Sequence, residues 1–235
     1  MISGGGLDLT YIRDSNQYAS LIWMGYPGQS GGLALATVMF GQFNPAGRLT
    51  VTHYPASYVN EVFMADMRMR PSPTNPGRTY KFYTGQAVYE FGYGLSYTTF
   101  NYTWYNDSID SIVSIRKLIK NNSNEKKVLL HLYRVNVTNT GTVAGDDVVL
   151  AFITPPSKLI NDPSPPIKAL FGFERIHLDV GQTTEVFFPL NIQSLLTVGL
   201  DGSKWLEPGS YRIRIGQQHM FTIHLRGEST LWSKF

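Results

Sequence analysis

A chain of 235 residues with 43% apolar and 16% charged residues can bury the core of one large or two ordinary domains, which excludes a disordered polypeptide. Its formal net charge of +3 is small, and its Lys and Arg residues are scattered apart from short clusters such as Lys126-Lys127, so no nucleic-acid partner is expected. The chain has no cysteine, which removes disulfides and thiol nucleophiles, and no apolar run approaches the roughly 18 residues of a membrane span, so no membrane partner is expected either.

The first residues, MISGGGLDL, read as the end of a strand breaking into a Gly-rich turn. Residues 18–24 (YASLIWM) are an uninterrupted apolar run of strand length, the pattern of a parallel strand covered on both faces. After GYPGQS, the apolar side chains of GLALATVMFG, among them Leu33, Leu35, Val38, Met39 and Phe40, lie all round the helical wheel. That pattern predicts a helix buried on every face. Ser30 is placed as its N-cap and Gly41 as its C-terminal stop. Such a strand and helix cannot cover one another, so residues 1–75 are expected to be a truncated α/β domain whose apolar surface is buried against something outside the chain. Within it, residues 42–75 are rich in Pro and Asn and read as irregular chain wrapping a larger body, with one strand-like piece from Leu49 to Tyr54.

Residues 76–100 form an aromatic strap between two architectures. Eleven of the chain's 31 aromatic residues fall between Arg78 and Tyr105, a density expected of a segment pressed onto other surfaces on at least one side. Pro76-Gly77 opens it with a turn signal, and Gly85, Gly92 and Gly94 mark bends or close approaches. The pattern then changes to short alternating strands with turn residues about every ten positions, so residues 101–235 are read as an all-β immunoglobulin-like or fibronectin type III-like sandwich. Strands are predicted near 111–118, 128–138, 147–153, 167–178, 184–190, 210–216 and 220–226. Turns are predicted at 121–126, 139–146, 155–166, 179–182 and 207–209, and no helix of ordinary length is required.

Little in the sequence carries chemistry by itself. Gly28-Gln29-Ser30-Gly31-Gly32 fits G-x-S-x-G between a strand and a helix, but Ser30 stands too far beyond Met24 for the tight turn that a nucleophile elbow requires. His53 has no obvious orienting carboxylate. The histidines at 53, 131, 177, 219 and 224 show no HExxH or other metal-ligand spacing, and the glycines form no phosphate-binding motif, so neither metal nor cofactor is expected. Glycosidic chemistry needs two facing carboxyl groups. The candidates each have a simpler reading: Asp8 in a turn, Glu61 and Asp66 as solvated loop charges, Glu90 as a hydrogen-bonding partner within the strap, and Asp146 and Asp147 as structural residues opening a strand. Four Asn-X-Ser/Thr sequons, at Asn101, Asn106, Asn121 and Asn136, exceed the about two expected by chance and tilt toward a secreted protein, although no basic and apolar leader opens the chain.

Taken together, YPGQSGGLALATVMFGQFNPAGRLTVTHYP, MRMRPSPTNPGRTYKFYTGQAVYEFGYGLSYTTF, IKALFGFERIHLDVGQTTEVFFPL and WLEPGSYRIRIG resemble glycoside hydrolase family 3, within it the β-xylosidase branch. Gly6 stands where the family usually has proline. The resemblance implies a larger retaining exo-glycosidase acting on terminal β-xylosyl, and by extension α-L-arabinofuranosyl, residues. In such enzymes the nucleophilic aspartate comes from a barrel and the glutamate acid/base from an α/β sandwich, of which the resemblance makes residues 1–75 the C-terminal tail. Both positions precede Met1 on this reading, so no catalytic residue is assigned within the chain. Its implied partners are the upstream barrel and α/β sandwich domains and a carbohydrate substrate, and the full-length enzyme is expected to be extracellular. Two rival readings follow from the residues alone: a stand-alone carbohydrate-binding or adhesion module using the aromatic side chains, and a serine esterase built on Ser30.

Overall fold

The computed structural model describes residues 1–104, 111–121, 129–216 and 219–234. The first 75 residues contain three helices, α1 (Thr10–Asp14), α2 (Gly31–Met39) and α3 (Tyr58–Glu61), joined by irregular chain. The strand predicted at 18–24 does not join a sheet. The Met1 ammonium donates to the Ile22 carbonyl at 2.7 Å and the Met24 N–H to the Met1 carbonyl at 3.1 Å, and two bonds do not make a ladder.

Helix α2 forms where its sequence predicts and stops as predicted, with Gly41 in the left-handed region at φ 71° and its N–H donated to the Val38 carbonyl. Ser30 takes the N-cap position, but its side chain makes no capping bond. The expected burial on every face is not met: Gly31 alone is buried, and Leu33, Met39 and Phe40 are exposed. The strand-like piece 49–54 instead finds the strap. The Leu49 N–H donates to Tyr93 and the Gly92 N–H to Leu49, while His53 N–H donates to Tyr89 and Val88 N–H to His53, all between 2.7 and 2.9 Å.

The strap itself carries a one-turn helix, α4 (Thr79–Phe82), and packs on both neighbours. Tyr80 stacks on Phe91 at 4.3 Å between centroids, and both meet the edge of Phe152 in the sandwich. Tyr83 is buried edge-on against the stacked pair Tyr54 and Tyr58. Gly77 sits at φ 90° against the backbone of Phe82, a position that a side chain could not take without moving that helix.

The β-sandwich is built from β1 (Phe100–Trp104), β2 (Ser111–Ser114), β3 (Leu129–Asn139), β4 (Gly145–Thr154), β5 (Ala169–Leu178), β6 (Thr183–Asn191), β7 (Thr197–Val198), β8 (Lys204–Leu206), β9 (Gly209–Ile215), β10 (His219–Arg226) and β11 (Thr230–Ser233). One sheet has the order β1-β3-β6, a second β2-β10-β9-β4-β5, and a small third β11-β8-β7. Pairing is antiparallel except between β2 and β10. The alternation that predicted strands also supplies the core: Val135 and Val137 of β3, Val186, Phe188 and Leu190 of β6, and Ile213 and Ile215 of β9 face inward and are buried.

All seven predicted strands have counterparts, although one is shorter than predicted. The prediction at 111–118 fails after Ser114, where the chain turns into helix α5 (Ile115–Asn121). Ile115 and Leu118 are its buried residues, a spacing of three that one helical face satisfies and an alternating strand does not. Strands β1, β7, β8 and β11 were not predicted; the last three are short. The predicted turn at 121–126 lies outside the described residues except for its first position.

Candidate functional site

The carboxylates weighed for glycosidic chemistry are engaged separately. Asp8 accepts hydrogen bonds from the Thr10 hydroxyl at 2.6 Å and the Thr10 N–H at 2.9 Å, closing the turn into α1 as read from sequence. Asp66 is not simply solvated. It holds Arg68 in a two-bond fork at 2.9 and 2.7 Å and accepts from the buried Asn75 amide at 3.0 Å. Glu90 is partnered outside the strap, by Lys168 of the sandwich at 3.0 Å. Glu61 is exposed at the end of α3. Asp146 is paired with Arg175 and His177 across β4 and β5. Among the described residues no cluster of three or more His, Cys, Asp or Glu has metal-binding proximity.

Ser30 is exposed and its hydroxyl makes no capping bond. His53 is fully buried, with its Nδ1 3.2 Å from the Leu7 N–H and its ring edge-on to Trp23 and Tyr89. A histidine so enclosed is a packing residue and has no open path to the Ser30 hydroxyl at the surface.

Asp8, Asp14, Asp66 and Asp201 titrate below the ordinary aspartate value of 3.8, chiefly because Thr10, Arg13, Arg68 and Ser203 respectively hydrogen bond the charged form. Burial opposes the same shift at Asp146, but His177 and Arg175 outweigh it. The unfolded chain therefore takes up protons before the folded one does. The stability these groups contribute is complete above about pH 5 and is lost as the pH falls through and below 3.8. Thermal melts at pH 7, 4 and 2.5 are expected to show a small decline over the first step and a much larger one over the second.

The groups that sequence reading missed lie at the junction of strap and sandwich. Arg48 reaches from the first segment to Asp147 of β4 at 2.5 Å, and its other terminal nitrogen donates to the Gly94 carbonyl at 2.6 Å. Asp147 is 1% exposed and also accepts from the Tyr102 hydroxyl and the Val148 N–H. Burial first, and then the Asp147 charge, push the Tyr102 hydroxyl far above its ordinary value, so it remains a proton donor at any physiological pH. Arg70 makes the second such tie, donating to both oxygens of Asp162, which is also 1% exposed, and to the carbonyls of Ser164 and Val198. No local sequence period marks these residues, because each pair is joined across more than 90 positions.

Beside the Arg48–Asp147 pair lies an open cavity of about 300 Å³, bounded by strap residues Phe91 and Tyr93, by Leu150 and Phe152 of β4 and by Arg214 of β9. It has the chemistry of a small binding cleft, with an apolar floor, aromatic edges and guanidinium groups.

Residues 1–97 match the family model described as the glycosyl hydrolase family 3 C-terminal domain, and residues 147–219 match a fibronectin type III-like domain. An exo-1,4-β-xylosidase of Aspergillus awamori is 36% identical over 243 residues, a match that takes in 100% of this chain and 30% of that protein. A probable β-D-xylosidase 6 of Arabidopsis thaliana is 37% identical over 249 residues, with 95% and 31% covered. The solved structure of a family 3 exo-β-xylosidase in complex with a xylobiose aziridine activity-based probe superposes with a TM-score of 0.89 at 34% identity, covering 98% of this chain and 31% of that one. The β-D-glucoside glucohydrolase of Trichoderma reesei follows at a TM-score of 0.70 and 25% identity, with 96% and 33% covered. The chain spans about 30% of the length of the curated relatives it matches.

Proposed function

Because this chain belongs to glycoside hydrolase family 3, carrying that family's C-terminal domain followed by a fibronectin type III-like domain, we propose that it is the C-terminal portion of a retaining exo-glycosidase. That enzyme removes terminal β-xylosyl residues from xylan-type oligosaccharides, with α-L-arabinofuranosyl ends as a secondary substrate. The nucleophilic aspartate and the glutamate acid/base are supplied by barrel and α/β sandwich domains upstream, and these residues act as scaffold. The observation that carries the reading is the similarity of the whole chain to an Aspergillus exo-1,4-β-xylosidase, in which it corresponds to 30% of the length. The exposed Leu33 and Met39 of α2 and Phe40 at its C-cap support it, since apolar side chains of that size along one short helix are what a domain contact would cover.

The test is turnover of an aryl β-xyloside and an aryl β-glucoside by the isolated chain and by the full-length enzyme. The chain alone is expected to show no hydrolysis above buffer, and the full-length enzyme to prefer the xyloside. Robust turnover by the isolated chain would sink the assignment of the carboxylates elsewhere, and a glucoside preference would sink the substrate class. Strap residues Tyr80 and Tyr83 offer no open aromatic platform for a stand-alone binding module, because Tyr80 stacks on Phe91 and Tyr83 packs against Tyr54 and Tyr58 of the preceding segment.

We also propose that the full-length enzyme is extracellular. Asn101 is exposed on β1, an edge strand, and lies opposite Thr138 of the Asn136 sequon, while Thr103 lies opposite Asn136. An outward side chain at a sheet edge can carry a glycan without disturbing the core. Asn106 lies outside the described residues. Glycopeptide mapping of enzyme produced through a eukaryotic secretory pathway is expected to find Asn101 modified, and unmodified Asn101 in secreted material is the contrary result.

A further inference from the structure

We propose that the cavity between the strap and β4 and β9 binds a carboxylated monosaccharide, with its carboxylate on the Arg214 guanidinium. Arg48 is matched by Asp147 at 2.5 Å and Lys168 by Glu90 at 3.0 Å. Arg214 is half-buried, and among the described residues no carboxylate or carbonyl accepts a hydrogen bond from its guanidinium, which lies over the Phe152 ring, 5.7 Å from the centroid. Lys168 lies over the same ring at 5.3 Å. Among the described residues, the cavity wall thus carries one positive charge without an ion-pair partner. A guanidinium held beside an aromatic ring, partly out of water, pairs strongly with a carboxylate through its two-pronged donor geometry.

Size and surface narrow the ligand further. About 300 Å³ is the lower end of small-molecule sites and suits one ring rather than an oligosaccharide. Leu150 supplies an apolar floor for the C–H face of a sugar, while Phe152, 4% exposed and covered by Tyr80, Phe91 and Lys168, serves to hold Arg214 in place. Tyr93, 41% exposed and packed 5.2 Å from the Tyr89 ring, stands at the wall as an aromatic edge. Gly92 brings the strap backbone down onto the floor at φ 83°. A Cβ there would fall 2.6 Å from Leu150 Cδ1, so the close approach that shapes the cavity depends on glycine. Glu90 lines the same wall, and its exposed carboxylate is placed to accept from sugar hydroxyls while Lys168 offsets its charge.

The presence of an anion site follows from Arg214 alone; the choice of a sugar acid over other ring carboxylates rests on the glycosidase reading. Calorimetric titration of the full chain with glucuronate is expected to show saturable one-to-one binding. Glucose should bind at least about tenfold more weakly, the worth of a single charge-assisted contact. Arg214→Gln should weaken glucuronate about tenfold without shifting the melting temperature, and Arg214→Lys, which keeps the charge but not the fork, should fall between. Absence of saturation at millimolar glucuronate, or binding indifferent to both variants, overturns the site. Tighter binding of benzoate or inorganic phosphate than of glucuronate overturns the sugar-acid assignment. Xyloside turnover by the full-length enzyme is measured independently, so failure of the anion site and failure of the glycosidase reading are told apart.

Discussion

Replacing Arg48 by alanine is expected to destabilise the chain by about 3–5 kcal/mol, because it leaves a buried carboxylate without its cation. Asp147 is 1% exposed and Arg48 19%, so water cannot substitute for the guanidinium as it would at an open surface pair. The damage extends past the pair itself. The Gly94 carbonyl loses a 2.6 Å hydrogen bond, and the Tyr102 hydroxyl is left donating to an unneutralised charge. At about 2–4 °C per kcal/mol for a chain of this size, the midpoint should fall by roughly 6–20 °C. Arg48→Met combined with Asp147→Leu should recover a large part of that loss, since removing both charges also removes the desolvation they incur. A double variant no more stable than Arg48→Ala would show that the pair matters through something other than the orphaned charge. Amide exchange should place the new openings at residues 92–98 and at the start of β4, where the lost bonds lie.

Phe188→Ala should have an effect of similar size by a different route. Phe188 is 1% exposed on β6 and belongs to the sandwich core. Its ring lies edge-on to Phe171 at 6.5 Å between centroids. On the facing side it packs over Gly172, where an added Cβ would come within 2.9 Å of Phe188 Cδ1. Truncation removes a ring from a site whose β-sheet walls cannot collapse, for an expected loss of about 3–5 kcal/mol. Urea unfolding should register this as a lower midpoint with an unchanged slope. The contrast between the variants is informative. Arg48→Ala should loosen the junction first, whereas Phe188→Ala should lower the whole sandwich, and a Phe188→Leu control should return roughly half of the loss by refilling most of the volume.

The difference in legibility between these two residues has a physical basis. Phe188 stands in the alternating run of β6, where Val186, Phe188 and Leu190 face inward and Phe187 and Pro189 outward, so its burial could be read from period two. Arg48 and Asp147 are 99 positions apart, and an arginine in an Asn-Pro-x-Gly-Arg segment looks locally like any loop cation. The same holds for Arg70 and Asp162, and for Asn139, whose buried amide serves the Thr98 hydroxyl, the Gly141 N–H and the Val143 and Leu178 carbonyls at once. These groups are chosen by which loops meet, and loop meetings leave no period behind.

Sequence by itself determined the two-part architecture, the inward-facing residues of the sandwich, the glycine stop of α2 and the family resemblance, because each depends on patterns spanning a few neighbouring residues. Tertiary structure decided the rest: that residues 18–24 remain outside a sheet, that 115–121 coil rather than extend, that Glu90 answers to Lys168, and that Arg214 lines a cavity beside Phe152. Backbone ladders and ion pairs need partners distant in the chain, and only the folded geometry says which partners arrive.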